Sequence, residues 1–208
     1  MKNVITIGRQ YGSAGHDIGE MLAQKLGYAF YDKELVKLAA QKSNISDETV
    51  KHIDEKATSS LLYSLVSGSY SVHDINGPLY YEMPLNDKLF LAQSDVVKNI
   101  ASKENSVIVG RCSDYILEDA EDINLINIFV YAPLEFRVKR VKERFDLTDK
   151  QAKDRVLKTD KQRKTYYNYY SNRDWGKMSN YDLCINSAKV GIEKSAEMIA
   201  NFVRSLEK

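Results

Sequence analysis

The chain carries almost no net charge. Its 30 lysines and arginines face 29 aspartates and glutamates, for a formal charge of +1. A global basic field for gripping nucleic acid is therefore missing, and only local patches remain open. Residues that staple or ligate are scarce as well. The two cysteines, Cys112 and Cys184, stand far apart with no CxxC spacing, which points to a reduced, cytoplasmic setting with two unpaired thiols. Three histidines without metal-ligand spacing argue against a zinc site, and no metal ligand is assigned. No apolar run approaches the roughly 20 residues that span a bilayer. The opening "MKNVITIG" is too short in its apolar part, and lacks the small-residue cleavage site, to read as a signal peptide. The partners expected on these grounds are small molecules, with no nucleic acid and no membrane, for a monomer or homodimer.

What is present is ordinary globular material. At 208 residues, 43% hydrophobic and 28% charged, the chain suffices for one domain with a substantial core. Short β-branched runs at Val4–Ile7, Ala29–Tyr31, Ser106–Val109, Leu125–Tyr131 and Leu183–Ile185 alternate with helical patterns. That alternation predicts an α/β fold with a mostly parallel sheet of about five strands flanked by helices. Pro133 sits at the preferred first turn of a helix whose stripe is Leu134, Val138, Val141 and Phe145. Thr148 and Gln151 have the spacing of a capping box. The last helix lines up Ile192, Ala196, Ile199, Val203 and Leu206. Two helical excursions interrupt the alternation, residues 33–103 and a basic, tyrosine-rich stretch at 146–180. The core is then 1–32, 104–145 and 181–208. Both excursions follow strands and are expected over the carboxyl ends of the sheet, where α/β proteins bind ligands.

The stretch "ITIGRQYGSAGHDIG", Ile5 to Gly19, has the layout of a phosphate cradle, strand to glycine turn to helix. Glycines at 8, 12 and 15 permit a sharp turn and close approach to a ligand. Amides in such a turn and the positive end of the following helix attract phosphate. The spacing departs from G-x-x-x-x-G-K-[ST]: six residues separate Gly8 from Gly15, and His16 and Asp17 stand where lysine and a hydroxyl residue belong. Arg9, inside the loop, is the nearest substitute cation. An ordinary tight βα turn accounts for the same glycines.

Three further clusters carry candidate chemistry. "VIVGRCSDYIL" delivers Arg111 at the carboxyl end of a buried strand, where a guanidinium forks onto phosphate or pairs with Asp114. Cys112 reads as a small buried residue. "KTDKQRKTYYNYYSNRDWG" places Asp160 and Arg163 on one helix face among lysines and tyrosines, a composition that fits a closing lid, a single-strand binder or a solvated basic helix. "AFYDKELV" sets Asp32 after a short strand, positioned to orient a substrate, to hold Mg²⁺ through water or to cap the next helix. Arg137, Arg140 and Arg144 lie opposite their helix's apolar stripe and read first as exposed charge, with phosphate contact second.

In order, "ITIGRQYGSAGHDIG", "FYDKELV", "GRCSDYIL", "YAPLEFRVKRVKERF", "TDKQRKTYYNYY" and "LCINSAKVGIE" resemble the cytidylate kinase-like family, a branch of the nucleoside monophosphate kinases within the P-loop fold. The resemblance runs from the first strand to the final helix. It implies a P-loop NTPase-like core, a helical acceptor-binding lobe at 33–103, a lid at 146–180, and the use of ATP and Mg²⁺. It implies that Gly12, Ser13, Ala14 and Gly15, with Arg9, His16 and Asp17 beside them, wrap the donor phosphates. Arg111 and Asp32 would meet the acceptor, Arg163 would stabilise the transferring phosphoryl group, and Asp160 would be its acidic partner. The implied activity is phosphoryl transfer from ATP to a nucleoside monophosphate, CMP-like, or to a similar small acceptor. The departure at His16 and Asp17 keeps open a second reading, a nucleotide- or anion-binding module without catalysis.

Overall fold

The computed structural model describes residues 1–32, 35 and 84–206. Most of the expected acceptor lobe at 33–103 lies outside the described residues. The strands are β1 (Lys2–Arg9), β2 (Ala29–Tyr31), β3 (Ser106–Val109), β4 (Ile123–Tyr131) and β5 (Leu183–Asn186). They form one sheet in the order β2-β3-β1-β4-β5, and every pairing is parallel. Helices are α1 (Gly15–Leu26), α2 (Leu85–Lys103), α3 (Ser113–Ile116), α4 (Leu134–Phe145), α5 (Asp149–Ser171), α6 (Ser187–Val190) and α7 (Ile192–Leu206).

A parallel sheet covered on both faces needs apolar residues on both, and β1 shows the division. Ile5 and Ile7 pack with Ile18 and Leu22 of α1 and with Ala196, Ile199 and Val203 of α7. Val4 faces the other way, onto Val97 and Ile100 of α2 together with Ile108 and Leu117. The period-2 alternation of a strand thus sorts one sequence run into two cores. Burying each such Ile or Val contributes about 1.5–3 kcal/mol. Strand β1 is central, with β3 on one side and β4 on the other. The chain reverses its direction of winding there, which opens a crevice beyond the carboxyl ends of the strands. Arg9, Asp32 and Arg111 all stand at or just past those ends.

The local signals hold at the helix termini. Thr148 and Gln151 make the capping box of α5, and Pro133 precedes α4 as its N-cap. Along α4, Val141 is buried with Leu134 and Val138 beside it against Ala152 and Val156 of α5. Residues Asp149–Ser171 of the basic, tyrosine-rich stretch form one continuous helix, α5. Its tail is not a solvated face: Tyr166, Tyr167 and Tyr170 are buried with Phe90 and Cys112, and Tyr170 stacks on Phe90 with ring centroids 4.0 Å apart. Both cysteines are free thiols.

Candidate active site

The glycine loop leads into a helix start without a side-chain cap. Ala14, the residue before α1, has φ 64° and makes no side-chain cap, so the first-turn N–H groups point forward with the helix dipole behind them. Ser13 serves the loop itself. Its hydroxyl lies 2.8 Å from Gln10 O and 3.0 Å from Val130 O, while Ser187 donates to Ser13 O at 2.7 Å. Gly12 has φ +81°, and a Cβ there would fall 2.8 Å from Arg137 O. Only glycine lets the loop seat so closely on the start of α4.

Arg137 corrects the expectation of an exposed charge on α4. It is 6% exposed, and its guanidinium donates to Ala132 O at 2.9 Å, to Tyr11 O at 3.2 Å and to the carboxylate of Asp160. Asp160 also accepts from Tyr11 N–H at 2.7 Å. Its carboxylate is therefore directed at the backbone of the glycine loop and at Arg137. The pair straps the loop to α4 and α5, and hydropathy alone could not reveal it, because an arginine on a polar helix face looks solvated until its partner is known.

Three guanidiniums converge at the crevice. Strand β3 ends in a left-handed run: Gly110, Arg111 and Cys112 have φ 76°, 63° and 53°. The two non-glycine residues hold a conformation that costs roughly 1–2 kcal/mol each, and that turn carries Arg111, 5% exposed, into the site. A Cβ on Gly110 would fall 1.8 Å from Nη1 of Arg9, so the Arg9 guanidinium lies directly across that glycine. Arg163 reaches in from α5 and donates to Arg9 O at 3.1 Å. Asp32, 4% exposed, turns one carboxylate oxygen to Nδ1 of His16 at 2.8 Å and the other to Nη2 of Arg9 at 3.6 Å. Arg9 and His16 of the glycine loop, Asp32, Arg111 and Arg163, all singled out in the sequence, thus come together from four separate segments.

Two cavities meet on these arginines. One is a cleft of about 370 Å³ running from the glycine loop to α4 and α5, a volume suited to a small ligand. The other is a narrow space of about 30 Å³ beyond Gly110, walled by Tyr166, Tyr167, Trp175 and Tyr181. Arg9, Arg111 and Arg163 line both. Guanidiniums gathered this closely repel one another, and an anion between them relieves the repulsion with bidentate geometry.

The outer wall of the cleft adds Arg155 and Thr159, which the sequence pattern does not single out, to Asp17, Arg140 and Arg144. Asp17 is bonded to Arg140, with Arg144 at 3.6 Å, so the carboxylate at the hydroxyl position is already neutralised. Arg155 lies over the Phe145 ring at 3.8 Å and 5.9 Å from that of Tyr11, cation–π contacts that hold its charge at the cleft wall. Arg155, Thr159 and Arg163 all face the cleft. Their spacing of four was the available signal, a helix face that the Asp160–Arg163 pairing obscured.

Behind the narrow cavity, Tyr167 donates to Asp114 at 2.7 Å and Tyr170 to Asp87 at 2.9 Å. Asp114 thus answers to Tyr167. Burial pushes its carboxyl above the ordinary 3.8, only partly opposed by the Tyr167 hydroxyl, backbone amides and Arg173. The folded chain therefore holds this proton more tightly than the unfolded chain, so the group favours folding below the ordinary value. That contribution is lost as pH rises through the raised native value. Asp114→Asn, neutral throughout and still able to accept from Tyr167, should gain thermal midpoint relative to the parent between pH 4 and pH 7. A midpoint difference that does not change with pH would refute this.

A five-stranded, all-parallel sheet with a glycine turn, an uncapped helix start and convergent arginines at its carboxyl edge has the architecture of the P-loop kinases. The model of the cytidylate kinase-like family matches residues 4–189, and the chain belongs to that family. It is 32% identical over 109 residues to a cytidylate kinase of Staphylothermus marinus, a match covering 52% of this chain and 59% of that protein. The crystal structure of an uncharacterized protein from Eubacterium ventriosum superposes with a TM-score of 0.71 at 27% identity, over 98% of this chain and 99% of that one. A shikimate kinase from Bacteroides thetaiotaomicron shares the fold with a TM-score of 0.55 at 12% identity, over 97% and 98% of the two chains.

Among the described residues, no group of three or more His, Cys, Asp or Glu is placed to hold a metal ion. Asp32 faces His16 and Arg9, and Asp17 faces Arg140 and Arg144. This donor set does not fit a protein-held Mg²⁺. A magnesium ion in nucleotide chemistry here would be held by phosphate oxygens and water. Among the described residues, no helix is long and apolar enough to cross a membrane.

Proposed function

We propose that the protein transfers the γ-phosphoryl group of ATP to a nucleoside monophosphate or a similar small phosphate acceptor. The observation that carries this reading is the convergence of Arg9, Arg111 and Arg163 on the cleft of about 370 Å³ that opens at the glycine loop. The transition state of phosphoryl transfer spreads negative charge over the oxygens in flight, and preorganised cations stabilise it. In the balanced step, an acceptor phosphate oxygen bonds to the γ-phosphorus, the bond to the β–γ bridging oxygen breaks, and ADP leaves with a diphosphate formed. The glycine-loop amides receive the donor phosphates. Arg111 meets the acceptor phosphate, and Arg163, fixed through Arg9 O, meets the group in transfer. Such chemistry needs alignment and preorganised positive charge rather than a strong base. The names of the relatives make cytidine monophosphate the first acceptor to try.

Incubation with ATP, Mg²⁺ and a panel of nucleoside monophosphates should yield a diphosphate from at least one of them. Absence of product from every member would overturn the reading. A second reading, nucleotide binding without turnover, is favoured by one feature: Asp17, already committed to Arg140, stands where a hydroxyl would meet the metal. It predicts calorimetric binding of ATP with no product.

A further inference from the structure

The cleft that would take the donor phosphates contains a buried carboxylate, Asp32. An isolated negative charge at that place would repel a phosphate chain, so its presence needs a reason. The geometry points to one: Asp32 is a positioning residue that holds the His16 ring by a hydrogen bond and pairs ionically with Arg9, so that both side chains face the donor phosphates where a P-loop lysine would stand. This rests on the phosphotransfer reading and names the side chains that complete it.

The two contacts use different oxygens. Nδ1 of His16 is hydrogen-bonded to Oδ2 at 2.8 Å, and Nη2 of Arg9 is 3.6 Å from Oδ1, an ion pair rather than a hydrogen bond, so one carboxylate faces both groups. The imidazole is fixed a second time by Phe30, edge-on with ring centroids 5.4 Å apart. With Nδ1 committed to Asp32, Nε2 on the far side of the ring is the nitrogen left to face a ligand. The His16 side chain is 42% exposed where Asp32 is 6%, as expected of a ligand-facing group on a buried anchor. Arg9 is fixed from below by the bare Cα of Gly110, since a Cβ there would lie 1.8 Å from Nη1. A lysine brings a single flexible ammonium. This arrangement substitutes two planar donors already held in place, so less freedom is lost when phosphate arrives.

The sign of one substitution separates this idea from simple electrostatics. Removing a negative charge from an anion-binding cleft should strengthen binding if charge alone mattered. If Asp32 acts by positioning, Asp32→Asn should weaken it, since the amide no longer pairs ionically with Arg9 or His16. The test is calorimetric titration of the full chain with ATP and, separately, with inorganic tripolyphosphate, alongside the thermal midpoint of each variant. Asp32→Asn and His16→Gln are each expected to lose roughly tenfold in affinity for both ligands, the scale of one charge-assisted hydrogen bond. His16→Lys should stay close to the parent, and the combined Asp32→Asn, His16→Gln chain should lose less than the product of the two losses. Binding by Asp32→Asn as tight as the parent's or tighter, or His16→Lys as weak as His16→Gln, would overturn the proposal. A parent chain that binds neither ligand would remove both this inference and the phosphotransfer reading. The expected binding pattern without any product from the monophosphate panel would leave the anchor standing and remove only turnover.

Discussion

Arg111→Gly is expected to abolish phosphoryl transfer and to leave the protein more stable than Arg111→Ala does. The two effects have separate causes at one residue. The side chain lines both cavities, and losing one preorganised donor at a transferring group lowers kcat by about a hundredfold to a thousandfold. The backbone has φ 63°, which glycine adopts without the roughly 1–2 kcal/mol that a Cβ costs there. Arg111→Ala should match it in lost activity without the backbone relief, so the glycine variant should unfold at the higher temperature. Turnover of the glycine variant within threefold of the parent would mean that Arg111 does not touch the reacting phosphates.

The second large effect is on stability. Arg137→Met, similar in volume, should destabilise the fold by about 3 kcal/mol, because breaking a buried ion pair strands the partner's charge. For a chain of this size that is roughly 6–12 °C of thermal midpoint. Asp160 would keep its bond from Tyr11 N–H, but Ala132 O and Tyr11 O would each lose a donor. Arg137→Lys should recover only part of the loss, since one ammonium cannot replace a fork that serves three acceptors. Paired with Asp160→Asn, which removes the stranded charge, Arg137→Met should cost less than the two changes summed. A drop below about 1 kcal/mol for Arg137→Met would show that solvent, not Asp160, satisfies the guanidinium.

The framework of the fold is legible because it rests on local chemistry. The strands announce themselves as β-branched runs, and the α5 capping box is written in Thr148 and Gln151 alone. The site is legible where a backbone signature marks it: the glycines of the loop, and a glycine followed by arginine at the end of β3. It is not legible where meaning comes from a partner far along the chain. Arg137 looks like a surface charge and Asp160 like the partner of Arg163, and their joint role emerges only when α4 and α5 bring them to Tyr11. His16 reads as a defective lysine position until Asp32, 16 residues on, is found beside it. Phe145 reads as one more member of an apolar stripe, yet it is 41% exposed and carries Arg155 on its face.

The buried phenol–carboxylate bonds at the tail of α5 have a geometric consequence. Tyr167 and Tyr170 fasten that end of a 23-residue helix to Asp114 and Asp87, and Asp160 fastens its middle to Arg137 and the Tyr11 amide. At the rise of an α-helix, Asp160 and Tyr167 lie about 10 Å apart along the axis, with Arg163 between them and Arg155 about 8 Å beyond Asp160. Arg163 is therefore set between two tethered points, whereas Arg155 projects past both.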